Sequence, residues 1–530
     1  MTLLDCTLRD GGYYNEWDFA HDLIERYVRG IAAAGIDVVE MGFRMLDPGR
    51  FLGPTAFTDD RFLARLDIPA SLLVAVMVDA KVLLSTGDAT AVVRELFAPK
   101  AESRVSLVRI ASGYGESLEL EPALALLKEL GYEVAVNLMQ VSLRSAEELE
   151  DFGKRCAEWR VDVAYVADSF GGMRPSEVPA TIATLRAAFG GPVGCHFHDN
   201  MSYALANSMA ALDAGATWVD GTIRGMGRGP GNAKTESLVL ELNQRGLGNY
   251  DLLALVELVQ DGFADLQREH GWGSNLFYFL SGTYGVHPTY VMELLKDGRY
   301  SSFEIVHALQ GLRDEGGTRY GRDQLTSVVS GSNRSYPGSF DVTGWAEGKD
   351  ILLVGPGEQG HEKRADVEEF VRKYRPKTIG INAHAPLASE LIDAVAVCHP
   401  IMAVMDAHAL RELGRPIFAP REFLHSLGID PDNVLDVGFS VVPGKLETGT
   451  TAVVIPQLLV APYALAIAAS SGARRVLLTG FDGFEPNDPR YGEMVEVFKL
   501  FSDLPDGPEI VALTPNTYPI PKTSLYAPWT

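Results

Sequence analysis

Through the first half of the chain, short β-branched apolar runs alternate with stretches in which apolar residues return every three or four positions. The runs at 3–8, 37–41, 72–78, 105–111, 133–138, 161–167, 193–198 and 217–223 predict strands, and 20–34, 119–130, 146–158, 175–188 and 201–214 predict helices between them. Strands apolar on both faces need cover on both sides, as in a parallel sheet with crossover helices. Eight β-α units in roughly 250 residues match the size of a closed (β/α)8 TIM barrel. An open doubly wound sheet would need a reversal of strand order, and the even repetition offers no reason for one.

The pattern then changes. Residues 251 to about 300 read as helices extending the barrel, and 315–348 is rich in Gly, Ser, Asp and Arg, the composition of a linker or mobile loop. A strand at 350–354 runs into Gly355-Pro356-Gly357-Glu358-Gln359-Gly360-His361, followed by a helix at 365–374 and a strand at 378–382. A helix at 463–471 and a strand at 474–479 lead to Gly480-Phe481-Asp482-Gly483-Phe484. The fold class expected is therefore α/β: a (β/α)8 barrel over 1–250, a helical extension and linker over 251–347, and a second, Rossmann-like α/β domain over 348–530. Ligands of open parallel sheets bind at the carboxyl ends of strands, which makes Asp482 and His361 the candidates in that domain. The apolar stretch 452–469 is interrupted by Pro456, Gln457 and Pro462, so it reads as buried core and not as a membrane span of about 20 apolar residues.

Polar residues gather where the first-half strands end, which is where barrel loops build active sites. Arg9 and Asp10 follow the first strand, Glu40 and Arg44 the second, Asn137 and Gln140 the fifth, and Asp168 and Ser169 the sixth. His196 and His198 close the seventh. Residues two apart on a strand point the same way, so these histidines present two imidazoles to one point, where Asp10 can add a hard carboxylate oxygen. Strands 1 and 7 share layers inside such a barrel, which turns the three into neighbours. Taken singly, the histidines also suit a core role and Arg9 a salt bridge to Asp10 or Glu40; Glu40 and Asp168 suit either structure or ligand orientation. After the eighth strand, Arg224-Gly225-Met226-Gly227-Arg228-Gly229-Pro230-Gly231-Asn232-Ala233 is a glycine-dense loop that permits close backbone approach to a ligand. Composition alone leaves phosphate-binding, structural and catalytic roles open for it.

Charge and cysteine content narrow the classes of partner. With 46 Lys and Arg against 70 Asp and Glu the formal charge is -24, which repels nucleic acid and anionic membranes. The four cysteines lack paired spacing, so disulfides, zinc ribbons and thiol redox motifs are not expected. Free thiols and the lack of a basic, apolar leader at the start of the sequence give the expectation of a cytoplasmic protein.

The segments TLRDGG at residues 7–12, HFHDN at 196–200 and GMGRGPGNAKTE at 225–236, with YVADSFGGM at 165–173, resemble the metal-dependent pyruvate-aldolase and acyl-CoA lyase/synthase superfamily, in particular its 4-hydroxy-2-oxovalerate aldolase branch. The resemblance spans about residues 1–300. It implies a divalent cation, Mn²⁺ or Mg²⁺, on Asp10, His196 and His198, with Asn232 as a further ligand or its neighbour, and Arg9 facing the substrate oxygen that becomes an enolate. Ser169 would orient the substrate carboxylate. The implied activity joins or cleaves a carbon-carbon bond between pyruvate and an aldehyde; a Claisen-type synthase on acyl-CoA is the alternative, and a homodimer is expected by analogy. The branch usually carries a histidine base three positions after the aspartate, and here that position is Tyr13, a poor base with an unperturbed pKa of about 10. His287, in Thr283-Tyr284-Gly285-Val286-His287-Pro288, is the substitute candidate. In the second domain, GPG, IN and LLTGFDGF resemble bacterial sialyltransferase-like and pterin-diphosphokinase-like domains, which implies a nucleotide or nucleotide-sugar ligand, or a non-catalytic role.

Overall fold

The computed structural model describes residues 1–297, 300–330 and 334–527. Eight strands, β1 (Thr2–Asp5), β2 (Val38–Phe43), β3 (Leu73–Asp79), β4 (Leu107–Ser112), β5 (Glu133–Leu138), β6 (Val163–Asp168), β7 (Val193–Phe197) and β8 (Trp218–Gly221), close into a barrel in chain order. Every neighbouring pair is parallel, and the ring shuts where Leu4 lies opposite Asp220. The strands fall within a few residues of the apolar runs, and the helices His21–Ala33, Glu121–Glu129, Ala146–Glu158, Val178–Phe189 and Ala204–Asp213 match the expected ones.

The first run departs from expectation in a useful way. It was expected to stay extended to residue 8, but β1 stops at Asp5, whose Oδ1 accepts hydrogen bonds from the Thr7 amide at 3.0 Å and the Thr7 hydroxyl at 2.6 Å. A side chain that satisfies its own following backbone competes with the strand ladder and turns the chain. The hydroxyls of Tyr27 and Thr235 also donate to Asp5, so the turn is anchored from two helices. The outcome is a short helix, Thr7–Gly11, that carries Arg9 and Asp10.

Strand parity sorts the barrel side chains. Leu4, Cys6, Val38, Ala75, Leu107, Ala135, Val163 and Tyr165 fill the lumen, while residues of the other parity such as Val39, Val74, Val108, Val134 and Val166 pack under the helices. Each such aliphatic residue contributes about 1.5–3 kcal/mol by leaving water. Gly194 opens space for the Tyr165 ring, since a Cβ there would fall 2.4 Å from it. Cys6 and Cys195 are wholly buried and burial pushes their thiols up, so both are inert packing groups.

The chain divides into two compact units, one of Met1–Lys296 with Arg313–Tyr320 and one of Asp297–Leu312 with Gly321–Thr530. The expected middle segment, 251–347, is thus shared between them. Leu255, Leu258 and Phe263 are buried in the barrel core, whereas Val342 and Ala346 are fully buried in the core of the second unit. Sparse apolar anchors among polar residues made the latter stretch read as a linker; residues 298–299 and 331–333 of these segments, and 528–530, lie outside the described ones.

The second unit contains β9 (Ser335–Tyr336), β10 (Asp350–Val354), β11 (Lys377–Ile381), β12 (Ala394–Ala396), β13 (Ile417–Phe418), β14 (Val434–Leu435), β15 (Gly438–Val441), β16 (Ala452–Ile455), β17 (Arg475–Thr479) and β18 (Glu509–Ala512). Seven of them form a parallel sheet in the order β14-β13-β12-β11-β10-β17-β18, and β16-β15-β9 form a smaller one. Ile351 and Leu353 join one core and Leu352 and Val354 the other, the alternation expected of a sheet covered on both faces. The long apolar stretch is β16 followed by the helix Val460–Ser470, buried from Tyr463 to Ala468. Strand order reverses between β10 and β17, the switch point of an open α/β sheet. Among the described residues, no helix is long and apolar enough to cross a membrane.

Candidate metal and active site

The short helix brings Asp10 to the barrel mouth, and parity along the end of β7 brings His196 and His198 to the same side of the sheet. One ligand atom from each of the three lies within 4.8 Å of the others. All three are buried, and the two imidazoles stand 5.2 Å apart and nearly perpendicular. His196 Nε2 is 3.4 Å from the Asp10 carboxylate, and its Nδ1 is 3.0 Å from Asp220 Oδ2. Asp220 in turn meets Arg109 at 2.5 Å, Arg109 meets Glu40 at 3.2 Å, Glu40 accepts from Arg9 Nε at 2.7 Å, and Arg9 closes on Asp10 at 2.8 Å. The result is a closed ring in which three carboxylates alternate with two guanidiniums and an imidazole. Charges so deeply buried are tolerated only when each has its counter-charge in place.

The ring sets the protonation states at the site. Burial opposes ionisation of Asp10, but Arg9 above all, then His196 and His198, hold its carboxyl well below the usual range. Burial likewise opposes charge on His196, and hydrogen bonds to Asp10 and Asp220 raise it nonetheless. His198 lacks such partners, so burial takes it down to about 3 and leaves a neutral imidazole at pH 7, the form that ligates metals.

The residues present fit a divalent cation. His198 Nδ1 and Asn232 Oδ1 are buried without a hydrogen-bond partner, and Asn232 Nδ2 donates to Asp10. The glycine-dense loop packs its backbone against this group: a Cβ on Gly227 would lie 2.5 Å from Asn232 Nδ2 and 3.2 Å from Asp10 Oδ2. An ionised carboxylate, the neutral imidazole of His198, the second imidazole of His196 and an unfilled amide oxygen form a mixed N/O donor set suited to borderline and hard divalent ions. Glycine at 227 therefore answers a steric demand of the carboxylate cluster.

The remaining expected residues divide into those at the mouth and those turned elsewhere. Glu40 lies in the ring, and Ser169 Oγ accepts from the Gln140 amide at 3.1 Å, which leaves its hydroxyl hydrogen free to donate. Tyr13 is 41% exposed, edge-on to Trp17 and Phe43, with the Arg228 guanidinium 5.7 Å above its ring. Surrounding protein pushes its hydroxyl pKa up, and at its degree of exposure an ordinary tyrosine is protonated near neutrality anyway. His287 meets Phe170 and Tyr320, and burial takes its pKa down to about 3; no described contact joins it to Asp10, His196 or His198. Asp168 shares the outward parity of Val166 and accepts from the Met173 amide at 2.8 Å, so it ties a turn together outside the ring. Arg44 is likewise occupied, by the Leu96 carbonyl and Asp60.

Sequence reasoning missed Arg109 and Asp220. The signal was available: each is a single charge inside an otherwise apolar strand, one of each sign, and full burial of such groups demands a partner.

In the second unit, the loops that follow β10 and β17 meet at the switch point. The Gly357 amide donates to the Gly480 carbonyl at 2.9 Å, and Cβ atoms on Gly355 or Gly357 would fall 2.4 and 2.5 Å from that oxygen. Asp482 Oδ2 accepts from the Gln359 amide at 2.9 Å in the first turn of the short helix Glu358–Glu362, on which His361 is exposed, and its Oδ1 is buried without a partner. These glycines serve loop-on-loop packing.

Comparison with known proteins agrees with this geometry. The HMGL-like family model matches residues 1–261. The 4-hydroxy-2-oxovalerate aldolase of Carboxydothermus hydrogenoformans is 31% identical over 322 residues, which is 60% of this chain and 94% of that one. The oxaloacetate decarboxylase of Mycobacterium tuberculosis is 28% identical over 334 residues, 62% of this chain and 96% of that one. Among solved structures, the N-terminal domain of a proposed aldolase from Bacteroides vulgatus is 30% identical with a TM-score of 0.50, covering 58% of this chain and all of that domain. A chain that spans nearly the whole of such a relative, and folds the shared segment into a closed parallel barrel, belongs to the HMGL-like family of aldolase and lyase barrels.

Proposed function

We propose that the barrel is a divalent-metal-dependent pyruvate aldolase that makes or breaks the carbon-carbon bond between a 2-oxo acid and an aldehyde. Asp10, His196 and His198 would hold Mn²⁺ or Mg²⁺, with Asn232 completing or supporting the set. The observation that carries this reading is the convergence of three ligand atoms within 4.8 Å beside an arginine that is already fixed. A bound divalent ion would act as a Lewis acid for the enolate charge that develops next to the substrate carboxylate.

The chain's own groups supply the rest. Arg9 is held at Nε by Glu40 and at Nη1 by Asp10, so it stabilises the growing oxyanion without first reorganising. The Ser169 hydroxyl donates to the substrate carboxylate. Tyr13 keeps its proton at Oη and offers it as a donor at the mouth, and His287 stands further out as a neutral acceptor. The substrates in this reading are small molecules, a 2-oxo acid and an aldehyde, acting in a cytoplasmic, homodimeric protein.

One observation favours a second reading. Tyr13 is a proton donor at neutral pH, and His287 is a weak base at a pKa of about 3, so removal of a hydroxyl proton is poorly served. Loss of carbon dioxide from a 2-oxo dicarboxylic acid yields the same enolate without any base, and one relative carries the name oxaloacetate decarboxylase. The test is pyruvate release from 4-hydroxy-2-oxo acids and from oxaloacetate, and thiol release from an acyl-CoA supplied with a 2-oxo acid, each with Mn²⁺ and with EDTA. Metal-dependent pyruvate and aldehyde support the aldolase; pyruvate and carbon dioxide alone support the decarboxylase; thiol release from acyl-CoA points to the Claisen alternative. Turnover that survives complete chelation contradicts the metal site.

A further inference from the structure

Arg109 sits in the middle of β4 with no solvent exposure, and none of the steps above uses it. Its Nη2 lies 2.5 Å from Asp220 Oδ2, its Nη1 lies 3.2 Å from Glu40 Oε1, and the guanidinium lies over the Tyr165 ring at 4.3 Å. Gly194 is the residue that makes room for that ring. A cation wholly removed from water is held by its partners, and both partners here lead to the site: Asp220 to His196, Glu40 to Arg9.

We propose that Arg109 and Asp220 form a positioning clamp, with one buried guanidinium fixing both the orientation of the metal-facing imidazole of His196 and the placement of Arg9. The clamp rests on the metal site proposed above. Asp220 engages His196 at Nδ1, which leaves Nε2 directed at Asp10 and the ligand cluster. Asp220 Oδ1 has no hydrogen-bond partner, so Arg109 and His196, both on Oδ2, are what orient this carboxylate. At the other edge of the guanidinium, Glu40 is pinned through Oε1 and presents Oε2 to Arg9. Lysine cannot replace this arrangement, because a single ammonium lacks the planar fork that touches two carboxylates on separate edges. A buried ion pair that only stabilised the barrel could sit on any two strands; this one ends on a metal-facing imidazole at one side and on the enolate-facing guanidinium at the other.

The test measures Mn²⁺ binding by calorimetry on metal-stripped full-length protein, and kcat at saturating Mn²⁺. Asp220→Asn keeps the shape and removes the charge, so it serves even if Arg109 variants fold poorly. The clamp predicts Mn²⁺ affinity weakened about 10- to 100-fold in Asp220→Asn, the range for partners that orient metal ligands. Arg109→Lys is expected to lose affinity and also kcat at saturating metal, since Arg9 drifts with Glu40. Asp168→Asn, an equally buried carboxylate outside the ring, should bind Mn²⁺ within about twofold of the parent, which separates positioning from general destabilisation. Parental affinity in Asp220→Asn overturns the clamp while leaving the metal site standing. A parent that takes up no Mn²⁺ overturns the metal site and the clamp together.

Discussion

After β8, the loop from Gly225 to Gly231 brings backbone against Asp10 and Asn232; after β10, Gly355 and Gly357 bring backbone against the Gly480 carbonyl and Asp482. Both loops follow parallel strands, and both are glycine-rich for the same steric reason. They differ in what the sheet does beyond them. A closed barrel turns the ends of all eight strands toward one lumen, so side chains from the short helix after β1, from β2 and β4, and from the ends of β7 and β8 meet and leave unfilled polar atoms such as His198 Nδ1 and Asn232 Oδ1. An open sheet sets its strand ends in a row, and here adjacent loops close across the edge through the Gly357–Gly480 and Gln359–Asp482 hydrogen bonds, with Asp482 Oδ1 as the buried atom left over. Glycine after a strand therefore marks close approach, and closure of the sheet decides whether the thing approached is a ligand cluster or another loop.

Substitutions can break this comparison at either end. The largest effect is expected for Asp10→Ala and His198→Ala, which remove a donor from the cluster: pyruvate formation should fall by at least about 10³-fold and Mn²⁺ uptake should vanish in the same samples. Next, Asp10 inside the ring and Asp168 outside it should answer pH in opposite directions. Asp168 is raised to about 6 by burial, so the folded state binds its proton more tightly than the unfolded state does. Its stabilising contribution is full below about pH 4 and is lost as pH rises through 6, amounting to about 3 kcal/mol. Denaturant unfolding of the parent and Asp168→Asn between pH 4 and pH 8 should show the parent losing that amount relative to the variant, then a flat difference. Asp10 is shifted the other way, so no such loss with rising pH should arise from it.

Gly227→Ala should lower kcat/KM about 10- to 100-fold, because the added methyl collides with Asn232 and crowds Asp10. Gly357→Ala meets the Gly480 carbonyl and Asp482 instead, so it should destabilise the second unit by about 1–3 kcal/mol in a thermal melt while barrel turnover stays within about twofold. Equal loss of turnover in both variants would erase the distinction between the two loops.

Much of the barrel was readable before any coordinates, because parallel strands buried on both faces leave continuous β-branched runs that little else produces. The turn at Asp5 was not, since Leu8 is as apolar as a strand residue and only the Asp5-Thr7 side-chain bonds end the ladder. Asp10, His196 and His198 were legible as a set because strand spacing and barrel closure make a geometric claim about them. Arg109 and Asp220 lie about 110 residues apart in sequence, and nothing local relates them; only the register of eight strands brings them together. The stretch around Val342 and Ala346 escaped notice for a different reason, as two apolar anchors among Gly, Ser and Asp carry no period.

The most direct measurement is anomalous diffraction at the manganese edge from crystals of the full chain soaked in Mn²⁺. The account predicts one strong peak bonded to Asp10, His196 and His198, lost in His198→Ala. A peak elsewhere, or none in crystals of an active enzyme, would contradict it.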